Sequence, residues 1–510
     1  MALTRSHSRR SVVPSRLVPG PRLSWGGRTW VGGTPGSAEG PLLQVSETLS
    51  LSGVAGEGAR GRLIHGDALE VARALLREGL EGTADLVYLD PPFASQTSYV
   101  HEARLDGPAD GRVTRTLAYE DSWRAPKRGT TGSERSETDG ISAYLDMLAP
   151  RLEAAAALLG PRGTLWVHLD WRAAYLVRVL LDEIFGRERF INEIVWRRAP
   201  NLGRQAASGQ FGRTLDTILV YGGPAARLSP PTKLEPIEKG AIRWDEAGKP
   251  FTSAPRGDYT DVSVRRLESE GRVHRTGTGK VYIKYFLVKD GAGEWCRERR
   301  VDTLWTDVPP LRHAPTHERT GYPTQKPRAL LERIIRSATP KGGLVIDLFA
   351  GSGTTGEAAH AQERRFILGD AGHVAIAIAR ARLLRAGVDL SLERTPALAP
   401  PAGLPPKTRA RRVGCDRLEV ELVEPTEPFA WAVDRSYRAD GTFRTAWHSE
   451  RRPGSRPVPA AVVARLPWGE GRLGVRVYGD DGTVSTREVY LPTQEGFGDD
   501  AASGMAGEAQ

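Results

Sequence analysis

Cysteine is nearly absent: Cys296 and Cys415 are the only two in 510 residues. That scarcity excludes a disulfide scaffold, a zinc cluster and an iron–sulfur site, and it suits a reducing cytosol. Cys296, in EWCRERR, is an isolated thiol and reads as inert. Long apolar runs are missing too. None approaches the roughly 18 residues needed to cross a bilayer, so no membrane association is expected. The opening MALTRSHSRRSVVPSRLVPG carries arginines but no continuous apolar core of a signal peptide. It reads as a disordered basic leader or a start codon placed too early. No internal repeat is evident, no Walker lysine follows a glycine turn, and no acid cluster suggests a metal site.

What is present is enough chain for a full-sized core and a second small domain, at 55.5 kDa and 39% hydrophobic residues. The net charge of +9 favours polyanionic partners, although a general preference for arginine over lysine explains it equally well. Residues 1–60, rich in Gly, Pro, Ser and Arg, read as loose. Order begins at GRLIHGDALEVARALLREGLEGTADLVYLDPPF, which predicts strand 62–65, helix 68–77 and strand 84–89. The rhythm continues with a helix ending near Gly160, strand 164–169, helix 173–184, and strand-like FINEIVWRRA and DTILVYGG. Residues 225–315 break it, being charged, aromatic and poor in helix. KPRALLERIIRSAT then predicts a helix, and VIDLFAGSGTTGEAAHAQERRFILGD reads strand, turn, helix, strand. A linker is expected over 388–415, a small β-rich domain over 416–492, and a disordered tail over 493–510.

Four features carry chemistry. Asp347 ends a strand, and Gly351 and Gly353 follow in a turn that would let the backbone approach a ligand. Asp370 ends the next strand about twenty residues on, where an acid can accept from ribose hydroxyls. Asp67 sits at the start of a helix, where an N-cap is the default role, and it would meet the same ligand if its strand neighboured that of Asp370. Fourth, LVYLDPPFAS closes a buried strand with an acid, two rigid residues and an aromatic ring. The residue before a proline is held extended and proline fixes its own φ, so Asp90 and the Pro91 carbonyl are rigid acceptors beside the ring of Phe93. Two acceptors and a ring suit the exocyclic amino group of a flipped planar base.

Together, DPPF at 90–93, DLFAGSGTT at 347–355 and GYPTQKPRALLERII at 321–335 resemble the S-adenosylmethionine-dependent DNA amino-methyltransferases. The order, catalytic motif first and cofactor motif last, is similar to their circularly permuted β subgroup. GTLWVHLDW, NEIVWRR and DTLWTDVPP also resemble stretches of the site-specific adenine enzymes. The resemblance covers about residues 61–387 and implies an α/β, Rossmann-like methyltransferase fold with an inserted target-recognition region and a small C-terminal β domain.

It also implies roles. Asp90, the Pro91 carbonyl and Phe93 would hold the target base, with Pro92 fixing the turn. Asp347, Phe349, Gly351 and Gly353 would line the methionine side of S-adenosyl-L-methionine, Asp370 the ribose and Asp67 the adenine. Thr324 and Lys326 belong to a block that flanks the cofactor. Phe93 stands where tyrosine is more frequent, keeping the stacking face. The activity implied is methyl transfer to adenine N6 of double-stranded DNA in a bacterial or archaeal cytosol. Cytosine N4 stays open, since both bases present similar amino groups; so do a protein or RNA substrate and a non-catalytic specificity subunit. The basic residues Arg243, Arg256, Arg265, Arg266, Arg272, Lys280 and Lys284 of the insert, and the segment 197–213, are expected DNA contacts. A homodimer and a separate restriction or defence-system chain are the other partners the resemblance leaves open. His168, Trp166, Trp171 and Trp196 read as structural.

Overall fold

The computed structural model describes residues 23–25, 40–49, 61–105, 112–123, 137–199, 209, 211–413, 417–425, 429–435, 437, 442–450, 464–467, 472–479 and 481–490. Strand β1 (Gln44–Leu49) precedes β2 (Gly61–His65), in which Leu63 and Ile64 are fully buried. Asp67 caps helix α1 (Ala68–Arg77) by accepting the Leu69 N–H at 2.9 Å, and Val71, Ala72 and Leu75 form the buried stripe of that helix. Strand β3 (Ala84–Leu89) is apolar on both faces, as a covered parallel strand must be. Strands β4 (Thr97–Leu105) and β5 (Arg112–Asp121) pair antiparallel. Helix α2 (Glu137–Leu158), strand β6 (Leu159–Leu169), helix α3 (Ala174–Phe185) and strands β7 (Phe190–Arg197) and β8 (Leu215–Gly222) follow.

Next come β9 (Thr232–Pro236), β10 (Arg243–Trp244), β11 (Pro250–Pro255), α4 (Asp261–Ser269), β12 (Val273–Arg275), β13 (Val281–Lys289) and β14 (Trp295–Arg300). Then β15 (Leu304–Trp305), α5 (Arg328–Ala338), β16 (Leu344–Asp347), α6 (Thr354–Ala361), β17 (Arg365–Asp370), α7 (His373–Arg385) and β18 (Leu390–Arg394) complete the α/β rhythm. The C-terminal strands are β19 (Lys407–Val413), β20 (Arg417–Glu424), β21 (Ala430–Asp434), β22 (Phe443–Thr445), β23 (Trp447–Glu450), β24 (Ala464–Pro467), β25 (Arg472–Tyr478) and β26 (Val484–Tyr490).

One eleven-stranded sheet organises the larger unit, in the order β15-β7-β8-β6-β3-β16-β17-β2-β18-β1-β22. Its six central strands, β6 to β18, run parallel, which gives the Rossmann-like α/β architecture. Alternate residues of the central strands, such as Val87 and Leu89, Leu344 and Ile346, and Leu165 and Val167, share one core with α1, α2 and α3. β8 lies antiparallel between β6 and β7.

The chain divides into two compact units, residues 229–303 and residues 1–228 with 304–510. The smaller is a six-stranded antiparallel sheet, β10-β11-β13-β14-β9 with β12 on β13, and it contains α4, with Thr260 as the N-cap. Phe251, Ile283, Leu287, Val264 and Leu267 are its buried apolar residues, together with Cys296. Its bounds fall inside the expected 225–315, because β15 belongs to the large sheet, parallel to β7.

Three expectations are corrected. Residues 1–60 are not loose throughout: β1 joins the sheet between β18 and β22, and Leu23 and Trp25 pack against the main core. β1 carries little hydrophobic pattern, and its buried residues are Glu47 and Leu49. Glu47 is fully buried, 2.7 Å from Arg380, and the arginine holds its carboxyl down at about 2 despite burial. The expected linker 388–415 contains β18 and β19. The C-terminal β region, expected as a separate domain over 416–492, is not separate: β22 pairs with β1, and β19 contributes Ala410 to a core shared with Leu418, Trp431 and Val475. Cys415, residues 1–22, most of the 197–213 segment and the 493–510 tail lie outside the described residues. Among the described residues no helix is long and apolar enough to cross a membrane.

Candidate active site

The parallel order places four acids side by side. Asp90 follows β3, Asp347 ends β16, Asp370 ends β17 and Asp67 follows β2, and these four strands are consecutive neighbours in the sheet. Their carboxyl ends therefore form one edge, with neighbouring strands about 4.8 Å apart, and open α/β sheets take ligands at that edge. The adjacency of the Asp67 and Asp370 strands, left open by the sequence, is real: Asp370 pairs in register with His65.

A cavity of about 330 Å³ opens there. It is lined by Asp67, Asp90, Pro92, Thr324, Lys326, Asp347, Phe349, Gly351 and Asp370, nine of the twelve candidate positions. Pro91, Phe93 and Gly353 do not line it. Gly353 adopts φ 75° as the N-cap of α6, and a Cβ there would stand 2.9 Å from the Ala379 Cβ and 3.0 Å from its Cα. It is glycine so that α6 can approach α7, not to admit a ligand. Gly351 does face the cavity, at φ 49°, with room for a Cβ only 3.2 Å from the Tyr322 ring.

Asp90 Oδ2 pairs with Lys326 Nζ at 2.5 Å, while its Oδ1 is buried with no hydrogen-bond partner among the described residues. A buried acceptor left open is costly unless something fills it, so this oxygen is suited to a ligand N–H. Lys326, expected beside the cofactor, thus grips the acid of the DPPF turn, with its ammonium 5.0 Å from the Phe93 ring centroid. Phe93 itself stacks on His168, centroids 5.9 Å apart at 28°. His168 is fixed in turn by the Tyr88 hydroxyl at Nδ1 (2.9 Å) and by Asp216 at Nε2 (3.2 Å). Burial would raise the Asp216 carboxyl, but the His168 hydrogen bond and the charges of His168 and Arg198 outweigh it and hold it below the usual range.

Several contributors escaped sequence reasoning. Asp121 at the end of β5 accepts the Phe93 and Ser95 N–H groups at 3.0 and 2.8 Å, and the Trp123 indole N–H at 2.7 Å. It clamps a turn in which Ala94 and Gln96 hold φ of 55° and 58°, conformations costing on the order of 1–3 kcal/mol each for non-glycine residues. Tyr119 stacks between Tyr99 and Tyr322, and its hydroxyl lies 2.9 Å from Thr324 Oγ1. Tyr88, Tyr119, Trp123 and Tyr322 give the cavity aromatic walls. No local spacing marks any of these residues. Trp166 and Trp196 are buried as expected, whereas Trp171 is 45% exposed, with the Arg213 guanidinium 4.0 Å from its ring centroid.

Backbone amides hold the other three acids. Asp370 accepts from Gly351 N and Gly372 N, both at 2.8 Å. Asp347 accepts from Phe349 N at 3.0 Å and Thr355 Oγ1 at 2.5 Å. Asp67 Oδ2 pairs with Arg151 at 2.5 Å. A carboxylate offers about four lone-pair sites, so each acid retains capacity for a ligand hydroxyl or amine.

Burial pushes Asp347 up to about 7 and Asp370 up to about 6, against the hydrogen bonds each accepts. The native state therefore keeps protons that the unfolded chain, with carboxyls near 3.8, gives up first. This stabilisation is complete below pH ~4 and is lost as pH rises towards ~7, at up to about 1.4 kcal/mol per pH unit for each group. The thermal midpoint of the ligand-free protein is expected to fall over that window, and less steeply in Asp347→Asn. Identical slopes in the two proteins would contradict the assignment.

A family model described as DNA methylase, N6_N4_Mtase, matches residues 84–381. The chain is 28% identical over 322 residues to the type II methyltransferase M.EcaI of Enterobacter cloacae, covering 58% of this chain and 63% of that protein. It is 26% identical over 348 residues to the Mod subunit of the type III restriction-modification enzyme StyLTI of Salmonella typhimurium, covering 59% and 51%. The chain thus spans about half to two thirds of the length of these curated relatives. Among solved structures, a putative DNA modification methylase of Thermus thermophilus complexed with S-adenosyl-L-methionine is 19% identical, covering 66% of this chain and 99% of that one, with a TM-score of 0.34.

Proposed function

As the chain belongs to the DNA methylase family, we propose that it transfers a methyl group from S-adenosyl-L-methionine to the N6 amino group of adenine in double-stranded DNA. The observation that carries this reading is the buried, unpartnered Asp90 Oδ1 at the cavity edge, one strand away from the Asp347 turn. S-adenosyl-L-methionine, when bound, supplies an electrophilic methyl group. Asp370 would hold its ribose, Asp67 its adenine, and Asp347, Phe349 and Gly351 its methionine end.

Asp90 Oδ1 accepts one N–H group of the target base and so aims its nitrogen lone pair at the methyl carbon; the Pro91 carbonyl, which does not line the cavity, is the second acceptor that the resemblance implies. Their partial negative charge stabilises the positive charge that grows on that nitrogen. Lys326 fixes the Asp90 carboxylate, and Asp216 and His168 support the Phe93 ring of the turn. A base must leave the duplex to reach such a pocket. The residue 229–303 unit is assigned to target recognition. Arg256, Arg266 and Arg272 are engaged with Asp261 and Glu270. Arg243, Arg265 and Lys280 have no ion pair among the described residues and are the stronger candidates for phosphate or base contact. A separate restriction chain is a proposed partner, and the bacterial or archaeal cytoplasm the proposed location.

The decisive experiment is modified-base sequencing of DNA from a methylation-free host expressing the protein. N6-methyladenine at one recurrent motif is the expected result; N4-methylcytosine would correct the base, and unmodified DNA with folded protein present would overturn the reading. Asp370→Ala should weaken cofactor binding by about 10- to 100-fold, the loss of one or two hydrogen bonds to a charged acceptor. Calorimetry reads this directly, and an unaltered dissociation constant would remove Asp370 from the ribose site.

A further inference from the structure

A second cavity, of about 420 Å³, shares the Asp370 turn with the first: Ala371 and Gly372 line the one, His373 the other. Its walls come from β1, β2, α7, β18 and the C-terminal strand β25. Three arginines and two histidines face it against a single acid, Glu393. Internal pairing does not cancel this excess. Glu393 is neutralised by Arg62 at 2.6 Å, and Arg380 by Glu47 at 2.7 Å. Arg476 uses Nε on Thr486 Oγ1 at 2.8 Å and one terminal nitrogen on the Ser46 carbonyl at 3.1 Å, leaving the other. The Arg394 side chain makes no hydrogen bond or ion pair among the described residues.

His373 Nδ1 is buried without a hydrogen-bond partner among the described residues, and the rings of His65 and His373 stand 4.6 Å apart, edge to face. Burial lowers both imidazoles, His65 to about 4, and the charge of Arg394 pushes His65 in the same direction, so at neutral pH the positive field of the cavity comes from the arginines. The cavity therefore combines a cationic field, a free guanidinium fork and an unfilled histidine nitrogen. Planar guanidinium forks match phosphate oxygens two at a time. From this juxtaposition we infer that the cavity binds a small phosphate-bearing anion, gripped by Arg394 and Arg476 and hydrogen-bonded by His373. The inference does not depend on methyl transfer.

The test is calorimetry on the full chain with inorganic pyrophosphate and with adenosine monophosphate as probes. One-site binding is expected in the wild type and in Lys341→Gln, whose exposed side chain lies outside this cavity. Arg394→Gln should bind about 10- to 100-fold more weakly while still binding S-adenosylmethionine, which reports an intact fold. If Arg394→Gln loses the cofactor, Arg394→Lys and His373→Gln serve for the same comparison. No binding of either probe to the folded wild type, or wild-type affinity in the variants, would overturn the site. So would loss of duplex DNA binding alone in Arg394→Gln, which would make Arg394 a DNA-phosphate contact instead.

Discussion

Asp90→Ala is expected to reduce methyl transfer by on the order of 10²–10³-fold or more, with cofactor affinity close to that of the wild type. The carboxylate lies at the end of β3, one strand from the Asp347 turn, so its removal leaves the amide contacts of Asp347 and Asp370 untouched. What disappears is the unpartnered Oδ1 acceptor and the anchor of Lys326. The loss should fall on kcat, because charge on the amino nitrogen develops only as the new bond forms. Asp90→Asn keeps an oxygen acceptor without the charge and should lie between the two. Transfer of labelled methyl groups to DNA, with calorimetry of the cofactor in parallel, gives both quantities. Undiminished transfer by a cofactor-saturated Asp90→Ala protein would sink the assigned role.

Gly353→Val should destabilise the fold by about 2–6 kcal/mol, the sum of two costs. A β-branched residue at φ 75° costs on the order of 1–3 kcal/mol in backbone strain. Its Cβ would also meet Ala379 at 2.9–3.0 Å, including the backbone of α7, which cannot rotate away. Overpacking of that kind adds about 1–3 kcal/mol. Because Gly353 is packed rather than exposed to the cavity, the variant that remains folded should bind cofactor with little change. Denaturant unfolding measures the first quantity. A strong loss of cofactor affinity without loss of stability would return Gly353 to the ligand site.

Much of this is legible in the sequence where local rules govern. The strand, cap and helix from Gly61 to Arg77, the buried strand ending at Asp90, and the glycine turn after Asp347 each follow from short-range patterns. What stays hidden depends on residues far apart in the chain. β1 has no apolar alternation to announce it, since its key buried residue is a glutamate that meets an arginine 333 positions later. Asp121, Tyr119 and His168 look ordinary in sequence and gain their roles only through partners brought in by the sheet. Lys326 is legible as a site residue but its partner is not, because motif spacing does not reveal which acid a long side chain reaches.

The sheet order has a consequence for how the protein is made. β2 pairs on both sides with strands formed by residues 365–370 and 390–394, and β3 waits for β16 at residues 344–347. About 250 residues separate β3 from β16. At roughly 5–20 residues per second, the ribosome needs on the order of 12–50 s to supply that partner. Through that interval the chain carries apolar strands with open edges, the surfaces on which unfinished chains aggregate. Chaperone demand during synthesis should therefore be set by the late arrival of residues 344–370, and truncations before them should accumulate as insoluble protein.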